Sequence, residues 1–255
     1  MSKIKNIESN WTALGNSDPY WAVITDNRYI NNKWNKSEFY NSGEKDFEYI
    51  FKDFKKEITF PKSTVLDFGC GPGRLTFQFA KHTEKVIGVD ISAPMINLAR
   101  ETKMFEKKCT FIVNNKDNLK IINSDSIDLV FSFIALQHNP PELIKNYLLE
   151  FIRIVIKDGG QIFFNLVSSP PQYYKILYFL IGNSGLNLLR KLKYNKKSII
   201  EMHWIKDKEV ISIFSNNGFK LKKKTKDQSV GKNWSSYFYL FEKNKDLPLT
   251  INTKP

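Results

Sequence analysis

An acid, a cluster of glycines and a second acid are spaced in this chain so that one small ligand can meet all of them. The run Val65-Leu66-Asp67-Phe68-Gly69-Cys70-Gly71-Pro72-Gly73 places a carboxylate directly ahead of a glycine turn. Glycines at alternate positions let backbone approach a ligand closely, and a helix opening after the turn offers free N–H groups. By itself such a turn also suits a pyrophosphate. Three details separate the readings. A dinucleotide turn expects G-x-G-x-x-G, whereas the third glycine here comes one residue early, at Gly73. A P-loop expects Gly-Lys followed by Ser or Thr, and Gly73 is followed by Arg74-Leu75. Asp67 would repel a pyrophosphate but favour a cationic ligand, directly or through water. Asp90 closes the next apolar run, where a carboxylate can accept both hydrogen bonds from a ribose diol; its plainer role is to open a helix beside Ser92. His138, in Gln137-His138-Asn139-Pro140, is the leading candidate for a general base, and its plainer role is to tie loop backbone. His203, beside Trp204, is a second candidate, and His82 reads as a solvated helix-end residue.

These residues need elements to position them. Residues 64–68, 86–90, 110–113, 127–132 and 161–167 are short apolar runs, as buried parallel strands require. Helical stretches over 75–81, 92–103 and 141–156 alternate with them, which predicts βαβ units and a parallel sheet. Right-handed crossovers then put helices on both faces, and the ligand crevice lies beyond the carboxyl ends of the strands. Residues 219–226 and 235–243 suggest an antiparallel hairpin at the sheet edge, its lysines (Lys220, Lys222, Lys223, Lys224) guarding that edge. The fold class expected is α/β: a doubly wound, mostly parallel sheet with an antiparallel C-terminal edge hairpin, an N-terminal helical cap and a helical insert. Residues 1–60 form the cap in this reading, with a helix over 36–56, and Pro61 precedes the first strand. Residues 61–255 form the ligand-binding domain, interrupted at 168–204 by an aromatic and basic element. Trp11, Tyr20 and Trp21 are candidates for a lid over the ligand.

The chain has 255 residues, 42% of them hydrophobic, enough for a substantial core. Its formal net charge of +13 favours acidic partners, namely nucleic acid, an anionic membrane surface or a phosphorylated substrate. Three histidines and two distant cysteines, Cys70 and Cys109, give neither a metal site nor a disulfide framework. The N-terminus lacks the apolar stretch of a signal peptide, and the longest apolar run, 176–181, is too short to span a bilayer. A reduced, cytoplasmic setting is expected.

The combined pattern resembles the class I (Rossmann-like) S-adenosylmethionine-dependent methyltransferases. Val65–Gly73, Val86–Asp90 and Ser92-Ala93-Pro94-Met95 look like that family's first two motifs. Asp128-Leu129-Val130-Phe131-Ser132 with Leu136-Gln137-His138 looks like the segment around its fourth strand, and Asp158-Gly159-Gly160 like the turn before its fifth. The resemblance covers residues 45–167, weakens over 205–243 and is absent from the insert. It implies S-adenosyl-L-methionine as cofactor, with Asp67, Gly69, Cys70 and Gly71 about its methionine moiety. It implies Asp90 on the ribose, Ile91 or Met95 on the adenine, Asp117 or Asn118 near the adenine amino group, and Ser132 at the end of the fourth strand. Asn114-Asn115 stands where the family has an acidic pair.

The expected function is methylation of an oxygen or nitrogen on a small-molecule acceptor, such as a natural-product or surface-glycan precursor, phosphorylated or not. His138, His203 and Tyr20 would face that acceptor, with no metal involved. An RNA methyltransferase and a non-catalytic scaffold of the same fold are the rivals. The charge supports the first, but no appended RNA-binding module and no Asn-Pro-Pro-Tyr-type motif accompany it. The basic run Arg190-Lys191-Leu192-Lys193 and Lys196-Lys197 fits a lipid-facing surface, a phosphate-binding wall, a nucleic-acid contact or simply a solvated helix face.

Overall fold

The computed structural model describes residues 3–58, 60, 63–156, 158–194, 200–231 and 233–244, the stretch 191–194 by its backbone alone. Pro61, Lys196 and Lys197 lie outside the described residues, as do the side chains of Lys191 and Lys193.

Seven strands form one sheet among the described residues, in the order β3-β2-β1-β4-β5-β7-β6. They are β1 (Thr64–Phe68), β2 (Lys85–Asp90), β3 (Cys109–Val113), β4 (Leu129–Ser132), β5 (Gln161–Ser169), β6 (Phe219–Asp227) and β7 (Ser235–Lys243). The first five run parallel, and β7 and β6 turn back antiparallel along β5. The expected α/β fold with its edge hairpin is therefore the one the chain adopts. β1 and β4 are buried on both faces, which is why their sequences lack an apolar–polar alternation. One face packs Phe51, Phe54, Phe79, Phe131 and Phe163, and the other packs Leu148, Phe151, Phe164 and Phe214.

Strand order reverses at β1, which has β2 on one side and β4 on the other. The chain leaves β1 and β4 in opposite directions there, so a crevice opens above the ends of these strands. The helices that pack on the faces of the sheet are α4 (Thr76–Ala80), α5 (Ala93–Glu101), α6 (Pro141–Ile154) and α8 (Asp207–Ser215).

Three N-terminal helices precede the sheet: α1 (Lys3–Ser17), α2 (Pro19–Val23) and α3 (Lys36–Phe51). α3 begins where Asn35 Oδ1 accepts from the Ser37 N–H at 2.9 Å. It ends earlier than residue 56, in a turn that buries Phe54 and Ile58. α1 was not evident from periodicity, because it is held by α5 rather than by a continuous apolar stripe. Gly15 packs on Ser92 and Pro94, and the Ser92 hydroxyl donates to the Trp11 carbonyl at 3.1 Å. Ser92 therefore occupies the cap position of α5 without capping it through its side chain. The insert forms α7 (Gln172–Tyr194), broken at Gly182, where φ is 61°.

At the sheet edge, Lys220, Lys222, Lys224 and Lys226 of β6 face solvent. Lys222 pairs with Glu242 at 3.2 Å, Lys224 with Asp207 at 3.0 Å and Lys223 with Glu57 at 2.9 Å. A register shift between Leu221 and Lys223 further disrupts the edge.

Candidate functional site

The crevice is a cavity of about 1130 Å³ above the ends of β1, β2 and β4, walled by the N-terminal helices on one side and the insert on another. The glycine turn forms its floor. Gly69 has φ +76°, and a Cβ there would lie 2.2 Å from the Ala135 Cβ, so only glycine fits between β1 and the segment after β4.

The turn's N–H groups are already bonded within the protein. Gly69 and Cys70 donate to the Val89 carbonyl at 2.8 and 3.1 Å, and Gly73 donates to the Cys70 carbonyl at 3.1 Å. Gly71 donates to Asp90 Oδ2 at 2.8 Å. A phosphate cradle needs such donors aimed outward, so this turn is built for something other than an anion.

The cavity instead presents acids. Asp67 is buried, and its Oδ2 accepts from the Thr76 hydroxyl at 2.6 Å. Burial, reinforced by the Asp90 charge and opposed by Thr76, raises its pKa to about 7. Asp90 clamps two loops, since Oδ2 accepts from Gly71 and Oδ1 accepts from the Ser92 N–H at 2.8 Å. Loss of solvent pushes its pKa up as well, against these backbone donors. Each oxygen keeps a further lone pair for a ligand.

His138 sits in a 3-10 turn, Leu136–His138, between β4 and α6. Its Nδ1 lies 2.7 Å from the Glu201 carbonyl. A carbonyl can only accept, so Nδ1 carries the proton and Nε2 is the basic nitrogen. The Trp11 ring lies 5.3 Å away. Burial lowers the His138 pKa to about 4, so the ring is neutral at neutral pH. Its neighbour Gln137 is fully buried on the cavity wall, with both side-chain polar atoms unpartnered among the described residues. Arg74, also buried on this wall, pairs with Asp46 at 2.7 Å.

Of the residues singled out from sequence, Asp67, Gly69, Cys70, Gly71, Asp90, Ile91, Met95 and His138 all line this cavity. Five others do not. Ser132 is buried within the sheet, its hydroxyl donating to the Phe68 carbonyl at 3.0 Å. Asp117 is exposed and accepts from Asn118 at 3.0 Å. The loop after β3 turns there, and Asn114 faces the cavity instead, its amide donating to the Asn118 carbonyl at 2.8 Å. Tyr20 packs on Phe39, with ring centroids 4.4 Å apart, while Trp11 and Trp21 take the cavity wall. His203 Nε2 engages Glu201 at 2.9 Å, and Asn183 donates to the same carboxylate at 3.0 Å. That hydrogen bond from His203 is the main reason Glu201 is held down at about 2. His203 is thus part of the clasp that fastens α7 to the chain after it.

Sequence reasoning missed Asn114, Gln137 and Tyr49 as wall residues. The first two adjoin strand ends and could have been found as the polar residues nearest β3 and His138. Tyr49 belongs to α3, and no local signal points it at the cavity.

Comparisons with known proteins bear on this arrangement. A methyltransferase-domain model matches residues 65–160. A ubiquinone biosynthesis O-methyltransferase of Coxiella burnetii (strain RSA 493 / Nine Mile phase I) is 32% identical over 145 residues, 55% of this chain and 58% of that protein. The similarity therefore spans little more than half of that relative. A protein of the same description from Hydrogenovibrio crunogenus is 23% identical over 187 residues, 73% of this chain and 76% of that one. Among solved structures, magnesium protoporphyrin IX methyltransferase from Synechocystis PCC 6803 with bound SAH superposes with a TM-score of 0.62. It shares 16% identity, covering 95% of this chain and 100% of that one, a likeness of fold.

Proposed function

We propose that the chain, whose residues 65–160 match a methyltransferase-domain model, is a class I S-adenosylmethionine-dependent methyltransferase that methylates an oxygen or nitrogen of a small-molecule acceptor. The observation that carries this reading is the pairing of Asp67 and Asp90 on one cavity whose glycine-turn N–H groups are bonded internally. Such a set of acceptors suits a ligand that is cationic at one end and carries a diol, and it disfavours a pyrophosphate.

S-Adenosylmethionine would supply a methyl group already activated on a sulfonium. The protein's part is then to bind, align and exclude water. Asp67 would hold the cationic end, directly or through water. Asp90 would accept from the ribose hydroxyls with the lone pairs that Gly71 and Ser92 leave free. Ile91 and Met95 would flank the adenine, and Asn114 would offer it a polar edge in place of Asp117 and Asn118. Trp11 and Trp21 would close the site to water.

The acceptor side is walled by Tyr49, Phe133, Arg190 and Trp234. That mixture of aromatic rings and one guanidinium supports a compact, partly apolar acceptor. His138, neutral and with Nε2 unprotonated, would take the proton that a hydroxyl or ammonium must lose, its pKa rising from about 4 when the acceptor's developing charge is beside it. His203 supports it indirectly, because Glu201, which His203 engages, also provides the carbonyl that orients the His138 ring.

The test is calorimetric titration with S-adenosylmethionine and S-adenosylhomocysteine, followed by methyl transfer to a panel of hydroxylated aromatics and amines. Micromolar binding that Asp90→Ala abolishes is the expected result. A folded protein that binds neither compound would overturn the reading. Methyl transfer to RNA but to no small molecule would replace its acceptor class.

A further inference from the structure

The insert helix α7 exposes more apolar surface than its place in the fold requires. Ile176, Leu177, Phe179, Leu180 and Ile181 are consecutive or nearly so and all solvent-facing, with Phe179 88% and Leu180 68% exposed. Leu188 and Leu189 extend the surface beyond the break at Gly182. An amphipathic helix that merely covers a sheet buries one stripe and exposes polar residues. Here the first half of α7 touches the body through few rings. Tyr178 meets Trp204 at 5.4 Å, and Tyr174 meets Trp234 at 5.0 Å. The rest projects, and contiguous apolar exposure of this kind marks an interaction surface.

Charge decides between occupants. From Gln172 to Tyr194 there is no Asp or Glu, while Lys175, Arg190, Lys191 and Lys193 are basic. The whole chain carries +13. A second copy would bring the same positive element against itself, whereas an anionic lipid surface complements it and also accepts the apolar tip. No helix among the described residues is long and apolar enough to cross a membrane, and an amphipathic element that docks on lipid would lie in the interface.

We propose that α7 is a membrane-docking element, inserting Phe179, Leu180 and their neighbours among the acyl chains of an anionic bilayer with Lys175 at the headgroups. This goes beyond the methyltransferase reading and does not depend on it. Arg190 lines the cavity and lies on the same helix, so docking would bring one wall of the cavity to the lipid surface.

The experiment is co-sedimentation of the full chain with phosphatidylcholine vesicles, with and without about 30 mol% phosphatidylglycerol. Binding to the anionic vesicles, weakened by salt, is expected. The double variant Phe179→Asp/Leu180→Asp should bind about tenfold or more weakly while its melting temperature is unchanged. Lys175→Glu should lower binding to anionic vesicles without altering the melting temperature. Failure of the folded protein to bind either vesicle would overturn the proposal. So would a concentration-dependent dimer in sedimentation velocity that the double variant abolishes, without vesicle binding, because it would assign the surface to a second copy.

Discussion

Binding of a cation beside Asp67 should release a proton, and the size of that release follows from the free structure. Burial, with Asp90 nearby, raises the Asp67 carboxyl to about 7. At pH 7 about half the molecules therefore carry it protonated, and at pH 6 about nine-tenths. A sulfonium and an ammonium next to it favour the ionised form and return the pKa toward the ordinary carboxylate value of about 3.9. The bound state is then ionised throughout this range, so binding releases about half a proton at pH 7 and about nine-tenths at pH 6. Affinity must rise with pH accordingly, by about fivefold between pH 6 and 7, or about 1 kcal/mol. The window stays below about pH 7.5, where the ligand's own α-amino group begins to titrate. Calorimetry in two buffers of different ionisation enthalpy reads the proton count directly. Asp67→Asn should remove both the proton release and the pH slope. Buffer-independent heats between pH 6 and 7, or an unchanged slope in Asp67→Asn, would refute the argument. Without ligand the sign reverses. A carboxyl whose folded pKa is raised stabilises the fold fully below about pH 3.9, and that contribution is lost as pH rises through 7.

Further expectations concern the floor and the wall of the cavity. Gly69→Ala forces a Cβ to within 2.2 Å of Ala135 at φ +76°. It should cost more than about 2 kcal/mol in urea unfolding, and adding Ala135→Gly should recover the steric part alone. His138→Ala should lower kcat by about 10²-fold while S-adenosylhomocysteine affinity is kept; unaltered turnover would leave His138 a structural residue. His138 held at about 4 favours the folded state above its unfolded pKa of about 6.5 and loses that contribution as pH falls through 4. Denaturant titrations should therefore show stability falling by about 2 kcal/mol between pH 7 and 5 through this group, a fall that His138→Gln removes.

Much of this protein is legible in its sequence because the decisive signals are local. β1, β2 and β4 read as buried strands from continuous apolar runs. Asp67, Asp90 and the glycine turn follow from their place at strand ends, since a parallel sheet brings its carboxyl ends to one edge whatever the helices do. The spacing of Gly69, Gly71 and Gly73 fixed a turn that the backbone takes with positive φ at each.

What only the tertiary structure decided lies in the segments between and around the strands. α1 has no clean period because Ser92, Pro94 and Met95 form its support, residues about eighty positions away. The choice of Trp11 over Tyr20 for the cavity wall, and of Asn114 over Asp117, depends on how loops pack across the sheet edge. His203 and His138 both engage Glu201, one at its carboxylate and the other at its carbonyl, and only His138 lines the cavity. A strand's direction is set by its own side chains and the pleat, whereas a loop residue's direction is set by partners far along the chain, and no window of local sequence contains them.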